Sequence, residues 1–259
     1  MTGSLKSTTD GKTLVLTLSN PEFKNALGPE MYAAGIEALN AAENNADIRS
    51  VVITGEGNVF CAGGNLQRLL TNRRDPPEVQ AQSIEGLHSW IDAIRTYPKP
   101  VIAAVEGAAA GAGFSLVLAC DLIVAASNAI FVMSYSTVAL SPDGGGSWAL
   151  GRALPRALAS ELLLCGERIS AVRLEELGMI NRVCGAGDAL TEALSLATHV
   201  NARAPNALAS IKDLLNDAAT NSLSQQLASE RDHFVRNLHH ANGGEGIDAF
   251  LQKRTPHYR

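Results

Sequence analysis

At 259 residues, with 46% hydrophobic and 18% charged side chains, the chain has ordinary globular composition and enough length for one large α/β domain or a main domain with an appendage. A formal net charge of -5 argues against a basic surface for nucleic acid or an anionic membrane. The N-terminus, MTGSLKSTTDGKTLVLTLSN, lacks a basic segment followed by an apolar one, and no apolar run reaches bilayer-spanning length, so a cytoplasmic protein is expected.

In chain order, residues 12–18 (KTLVLTL) alternate as a strand does, and Asn20-Pro21 ends it in a turn. The loop PEFKNALG leads into a helix from Pro29 to about Glu43, where Met31, Ala34, Ile36, Ala38 and Leu39 fall near helical spacing. SVVITGEG (50–57) reads as a buried strand that opens into a glycine-rich loop, Gly55 to Leu66. The polar stretch from Leu66 through Asp75-Pro76-Pro77 is expected to be irregular, and a helix follows from about Glu78 to Arg95.

The centre of the chain is KPVIAAVEGAAAGAGFSLVLACDLIVAA, residues 99–126. It reads as a buried strand, a run of small residues from Gly107 to Gly113, a helix, and a second buried strand opened by Asp121, which is the grammar of a parallel βαβ unit. Small residues let a ligand approach the backbone, and the first N–H groups of the helix near Ala112 lack partners inside it. The stretch therefore offers a phosphate cradle or an oxyanion hole, or else only tight helix–sheet packing. Two parallel strands thus deliver small-residue loops to one sheet edge.

Beyond Ala126 the pattern gives a short strand around Phe131, a turn at Ser141-Pro142-Asp143-Gly144 and a helix from near Gly146. Helical patterns follow at 157–165, 170–177, 188–202, 205–218, 222–239 and 245–252. A second, helical domain is expected over 200–259, after a core of 1–199.

Several chemistries find no motif. No glycine pair is followed by a P-loop lysine, Gly111-Ala112-Gly113-Phe114-Ser115-Leu116 lacks the last small residue of a dinucleotide fingerprint, and Gly113-Phe114-Ser115-Leu116-Val117 fails as a hydrolase elbow. Cys61, Cys120, Cys165 and Cys184 form no CxxC pair and read as free thiols, with Cys61 the one candidate nucleophile. The six histidines have no metal-ligand spacing, so no metal is expected.

In combination, NPEFKNAL, VFCAGGNL, the central KPVIAAVEGAAAGAGFSLVLACDLIVAA and the terminal GIDAFLQKRTPHY resemble the first CoA loop, first oxyanion loop, central motif and closing helix of the crotonase superfamily, the enoyl-CoA hydratases and isomerases. The resemblance runs along almost the whole chain. It implies an α/β fold made of a spiral of ββα turns, a C-terminal helical trimerisation region, a homotrimer or a dimer of trimers, and an acyl-CoA substrate with no cofactor beyond the CoA that the substrate carries. It also implies an oxyanion hole made by the N–H groups of Gly64 and Ala112. By the same matching, Lys24, Ala26, Ala62, Asn65 and Leu66 line the CoA, while Phe250 and Lys253 reach a neighbouring subunit's adenosine.

The family's hydratases use two glutamates, and the matching positions here hold Ser115 and Tyr135. Hydroxyls are poor bases near neutral pH, so efficient hydration is not expected. Isomerases of the family place an aspartate where this chain has Asp143, and one carboxylate suffices to move a proton between two carbons. Pro-Asp-Gly before a helix is also good turn and cap chemistry, and the two roles are compatible. Tyr135 and Trp148 are expected to shape the acyl pocket, and His88 reads as an exposed helix residue.

The expected activity is an enoyl-CoA isomerase most like those of phenylacetate pathways. The alternatives are a hydratase or other crotonase reaction, and a non-catalytic acyl-CoA-binding homologue.

Overall fold

The computed structural model describes residues 3–259, so the first two residues of the N-terminal segment read above lie outside it. Among the described residues no helix is long and apolar enough to cross a membrane. A six-stranded sheet is formed by β1 (Ser4–Asp10), β2 (Thr13–Ser19), β3 (Ser50–Gly55), β4 (Val101–Val105), β6 (Leu122–Ala126) and β9 (Arg182–Cys184), side by side in that order. Only the β1–β2 pair is antiparallel. A second sheet holds β5 (Ala108–Ala110), β7 (Ile130–Val132) and β8 (Arg168–Ser170).

The two sheets are wound together by a repeated unit. A strand of the large sheet runs into a short strand of the small one and then into a helix: β4, β5 and α4 (Ala112–Ala119), then β6, β7 and α5 (Gly146–Ala153). The turn before them follows the same plan, because after β3 the chain at Cys61 bridges Ala109 in parallel before entering α2 (Leu66–Asn72) and α3 (Pro77–Thr96). This is the expected spiral of ββα turns.

Period-two alternation fixes which side of the large sheet each residue faces. Leu14, Leu16, Leu18, Val51, Ile53, Val101, Ala103 and Val105 join the main core with Trp90, Phe60, Phe114 and Phe131, under α1 (Pro29–Glu43), α3 and α4. Their neighbours Val15, Val52, Ile102, Ala104 and Val124 face the other way, against Ala193, Leu196 and Ala197 of α8 (Ala189–Asn201). The sheet is buried on both faces, which is why β3 and β4 read as continuous apolar runs.

The remaining differences from the sequence reading have local causes. β1 carries almost no apolar residue and is exposed along its length, so alternation could not reveal it; Gly11, at φ 52, turns it back onto β2. Residues 66–72, expected to be irregular, form α2 because the Asn65 side chain accepts hydrogen bonds from the N–H groups of Gln67 (3.0 Å) and Arg68 (3.1 Å) and so caps the helix. The 170–177 pattern divides into β8 and α7 (Ala171–Glu176), and the 157–165 pattern into α6 (Arg156–Ser160) and a wide π turn over Glu161–Cys165. The last helices are α9 (Pro205–Asp217), α10 (Leu223–Leu238) and α11 (Ala241–Leu251).

One ion pair fastens α9 to the spiral. Lys212 Nζ lies 2.7 Å from Asp121 Oδ2 and donates to the Ile94 carbonyl at 2.9 Å, while the same Asp121 oxygen accepts from the Val101 N–H at 2.7 Å. Burial pushes the Asp121 carboxyl above its usual range, and the lysine beside it pulls in the opposite direction. Removing the cation leaves a mostly buried carboxylate uncompensated. Lys212→Met is therefore expected to destabilise the fold by about 3 kcal/mol, read as a lowered denaturation midpoint in urea; an unchanged midpoint would show that the pair does not hold α9 in place.

Candidate active site

The site begins with backbone. The strip Cys61–Gly64 is held on one side by the loop after β2, through Ala62 N–H to the Lys24 carbonyl (2.9 Å) and Leu27 N–H to the Gly63 carbonyl (2.8 Å). It is held on the other side by β5, through Cys61 N–H to the Ala108 carbonyl (3.0 Å) and Ala110 N–H to the Cys61 carbonyl (2.9 Å). Buried Asn25 locks the first loop from within, donating to the carbonyls of Glu56 and Val59 at 2.9 and 2.8 Å.

Close approach requires glycine at two places. Gly63 has φ 92, and a Cβ there would sit 2.7 Å from the Ala110 carbonyl oxygen and 3.4 Å from the Ala112 nitrogen. Gly111, at φ 51, turns β5 into α4 while its N–H donates to the Val132 carbonyl at 2.9 Å. Among the described residues no hydrogen bond runs from the N–H of Gly64 or of Ala112. Both residues line a cleft of about 870 Å³ whose walls come from α2, α3, Gly111, and the segment Ser134–Asp143.

Asp143 lines the same cleft. The Tyr135 hydroxyl donates to Asp143 Oδ1 at 2.5 Å, and the Ser115 hydroxyl donates to the Asp143 carbonyl at 2.9 Å. Burial, and then the neighbouring Asp143 charge, push the Tyr135 phenol above its ordinary value, so it remains a protonated donor. Asp143 does not cap α5. The cap position is Gly145, and no side chain bonds there, which corrects the capping role expected for the aspartate.

Ser115 itself is buried and does not line the cleft. A Cβ built on Gly146 would fall 2.7 Å from Ser115 Oγ, and one on Gly144 would fall 3.0 Å from Ser115 Cβ. The loop that carries Asp143 therefore rests directly on the serine, in the space that a longer side chain would fill.

Ala62, Leu66 and Tyr135 line the cleft as expected, and exposed His88 lies on its wall. Lys24, Ala26 and Asn65 do not. Lys24 takes a left-handed turn (φ 51) and lends its carbonyl to the strip, Ala26 is buried beside it, and the Asn65 side chain is committed to capping α2. Trp148, expected in the acyl pocket, lies outside it: its partly exposed ring stacks with the guanidinium groups of Arg152 (4.3 Å) and Arg95 (4.7 Å). Phe250 and Lys253, at the end of α11, also lie off the cleft. Cys61 is fully buried and its thiol is pushed up to about 12 by desolvation, which removes it as a nucleophile.

Sequence reading missed Tyr32, Arg68, Ser83 and Leu87, all on the cleft wall. A capping asparagine followed by LQRLL was the available signal for the α2 residues among them.

A ββα spiral with two unpartnered N–H groups and a carboxylate lining one cleft resembles the architecture of a crotonase. Residues 8–259 match the enoyl-CoA hydratase/isomerase family, and the chain belongs to it. It is 39% identical to 1,2-epoxyphenylacetyl-CoA isomerase of Escherichia coli (strain K12), over 95% of this chain and 94% of that protein. It is 34% identical to 2,3-dehydroadipyl-CoA hydratase of the same organism, over 96% and 95% of the two chains. Among solved structures, an enoyl-CoA hydratase from Polaromonas sp. JS666 superposes with a TM-score of 0.99 at 80% identity, covering 99% of this chain and 100% of that one.

The buried phenol gives a pH prediction. An ordinary tyrosine is half ionised near pH 10, whereas burial beside an anion disfavours the phenolate and moves its ionisation to higher pH. The ultraviolet difference spectrum between wild type and Tyr135→Phe should therefore contain no tyrosinate band at pH 10. A half-developed band there would mean that Tyr135 is neither desolvated nor held against the carboxylate.

Proposed function

We propose that the protein is an enoyl-CoA isomerase in which Asp143 shuttles one proton and the N–H groups of Gly64 and Ala112 receive the thioester oxygen. The observation that carries this reading is the pairing of Asp143 with a phenol that stays protonated in the cleft; by the family resemblance, the hydratases' two glutamate positions hold Tyr135 and the buried Ser115. The carboxylate takes a proton from C2 of a 3-enoyl-CoA, charge moves to the thioester oxygen as a dienolate, and the same proton returns to C4 to leave the 2-enoyl-CoA. Donors that wait at the oxygen stabilise charge where it develops, and losing one typically costs about 10²–10³ in rate. The similarity to an isomerase of 1,2-epoxyphenylacetyl-CoA supports this class of reaction.

The test is incubation of wild type and Asp143→Asn with a 3-enoyl-CoA in D₂O, following double-bond position by NMR and deuterium uptake by mass spectrometry. The wild type should shift the bond, and the variant should lose about 10²–10⁴ in rate. Water addition that survives the substitution favours the hydratase reading, which the name of the 34% identical relative keeps open. Binding without any turnover favours the non-catalytic one.

We also infer that residues 200–259 assemble the protein into a homotrimer or a dimer of trimers. These residues expose Leu223, Leu227, Phe234, Phe250 and Leu251, an apolar surface that water does not favour. The Phe250 and Lys253 roles implied by the family belong to such an assembly. Light scattering during size exclusion should give three or six chains for the wild type and a smaller species for Leu227→Glu/Phe234→Glu; a wild-type monomer would remove this inference.

A further inference from the structure

One charged group on the cleft wall has no task in the reaction above. Arg68, on the first turn of α2, shares a side-chain hydrogen bond with Tyr32, places Nη2 3.4 Å from Ser83 Oγ of α3, which is a long contact, and lies beside Gly28, where Glu30 also reaches. Its Nε is shut off from solvent and has no hydrogen-bond partner. No aspartate or glutamate comes within 4.0 Å of the guanidinium among the described residues. Among the described residues three other buried side-chain atoms lack partners, on Trp90, Asn201 and His233, and none of those residues lines the cleft.

Folded proteins rarely leave a desolvated donor of a cation unpaired, because neither water nor protein then offsets its lost hydration. Around Arg68 the wall is apolar, with Leu66, Leu69, Ile84 and Leu87. Asp143, on the same cleft, already receives the Tyr135 hydroxyl. A planar guanidinium without an ionic partner in such a setting is complementary to a carboxylate, which it can hold through two parallel hydrogen bonds. An acyl chain whose thioester lies at Gly64 and Ala112 runs within the same cleft as Arg68.

We propose that Arg68 is a specificity residue that selects acyl-CoA substrates whose acyl chain ends in a second carboxylate, the CoA monothioesters of dicarboxylic acids. This rests on the acyl-CoA reading of the cleft but not on the isomerase chemistry. A hydrocarbon end leaves the guanidinium without an ionic partner, whereas a terminal carboxylate supplies one.

Saturated thioesters separate binding from turnover. Calorimetry on the full-length protein would compare adipoyl-CoA with hexanoyl-CoA, glutaryl-CoA with pentanoyl-CoA and suberoyl-CoA with octanoyl-CoA, using wild type, Arg68→Lys and Arg68→Met. At least one diacid should bind the wild type tenfold or more tightly than its monoacid partner. That ratio should shrink in Arg68→Lys, which keeps the charge without the fork, and approach one in Arg68→Met. Because the readout is a ratio within each variant, a general loss of folded protein does not mimic it. Diacids that bind no better than monoacids, or a preference that survives Arg68→Met, overturn the proposal. If the preference is present but the D₂O experiment finds no isomerisation, the isomerase reading fails alone; if no thioester binds, both fall.

Discussion

Two backbone N–H groups without partners constrain everything built around them. A folded chain satisfies nearly all its buried backbone donors, so keeping Gly64 and Ala112 open requires a frame that holds the backbone on either side of them. The frame is the strip Cys61–Gly64, clamped between the loop after β2 and the short strand β5, with Asn25 locking the loop, glycine at 63 where a side chain would collide with Ala110, and glycine at 111 where φ is positive. Lys24 and Ala26, which a family-based reading places against the ligand, belong to that frame through their backbone and burial. Their effect on the proposed chemistry is positional: they hold the strip that aims the donors.

The fold was legible wherever apolar periodicity carried it. β3, β4 and β6 are buried on both faces and stand out as apolar runs, and the two glycine-rich loops marked the edge where the cleft lies. The sequence was silent where structure depends on something other than apolar spacing. β1 is an exposed edge strand fixed by its turn, β8 and β9 are three residues long, and α2 depends on a single capping side chain within a polar stretch.

The site was legible to a similar degree. Asp143 could be singled out through the family resemblance, but the partner that holds it could not, because the Tyr135 contact closes a loop of the chain that spacing does not reveal. Trp148 shows the opposite failure: an aromatic near the site in sequence was drawn outward by two arginines, Arg95 from a distant helix and Arg152 from its own. Arg68 was invisible for a third reason. Nothing in an arginine's sequence context announces that one of its nitrogens is buried without a partner; that follows only from the packing of α2 against α3.

The contact between Ser115 and the glycines of the Asp143 loop bears on how such a site can change over evolutionary time. A side chain at 144 or 146 would meet Ser115. A loop enlarged at either position therefore collides even with the serine, and a bulkier residue at 115 has to be accommodated beside the same glycines. The residues are coupled, so a lineage passing between a chemistry with a carboxylate at 115 and one with a carboxylate at 143 has to alter helix and loop together. Intermediate sequences that change only one of them are sterically penalised, and this barrier helps keep two reaction types apart within a single fold.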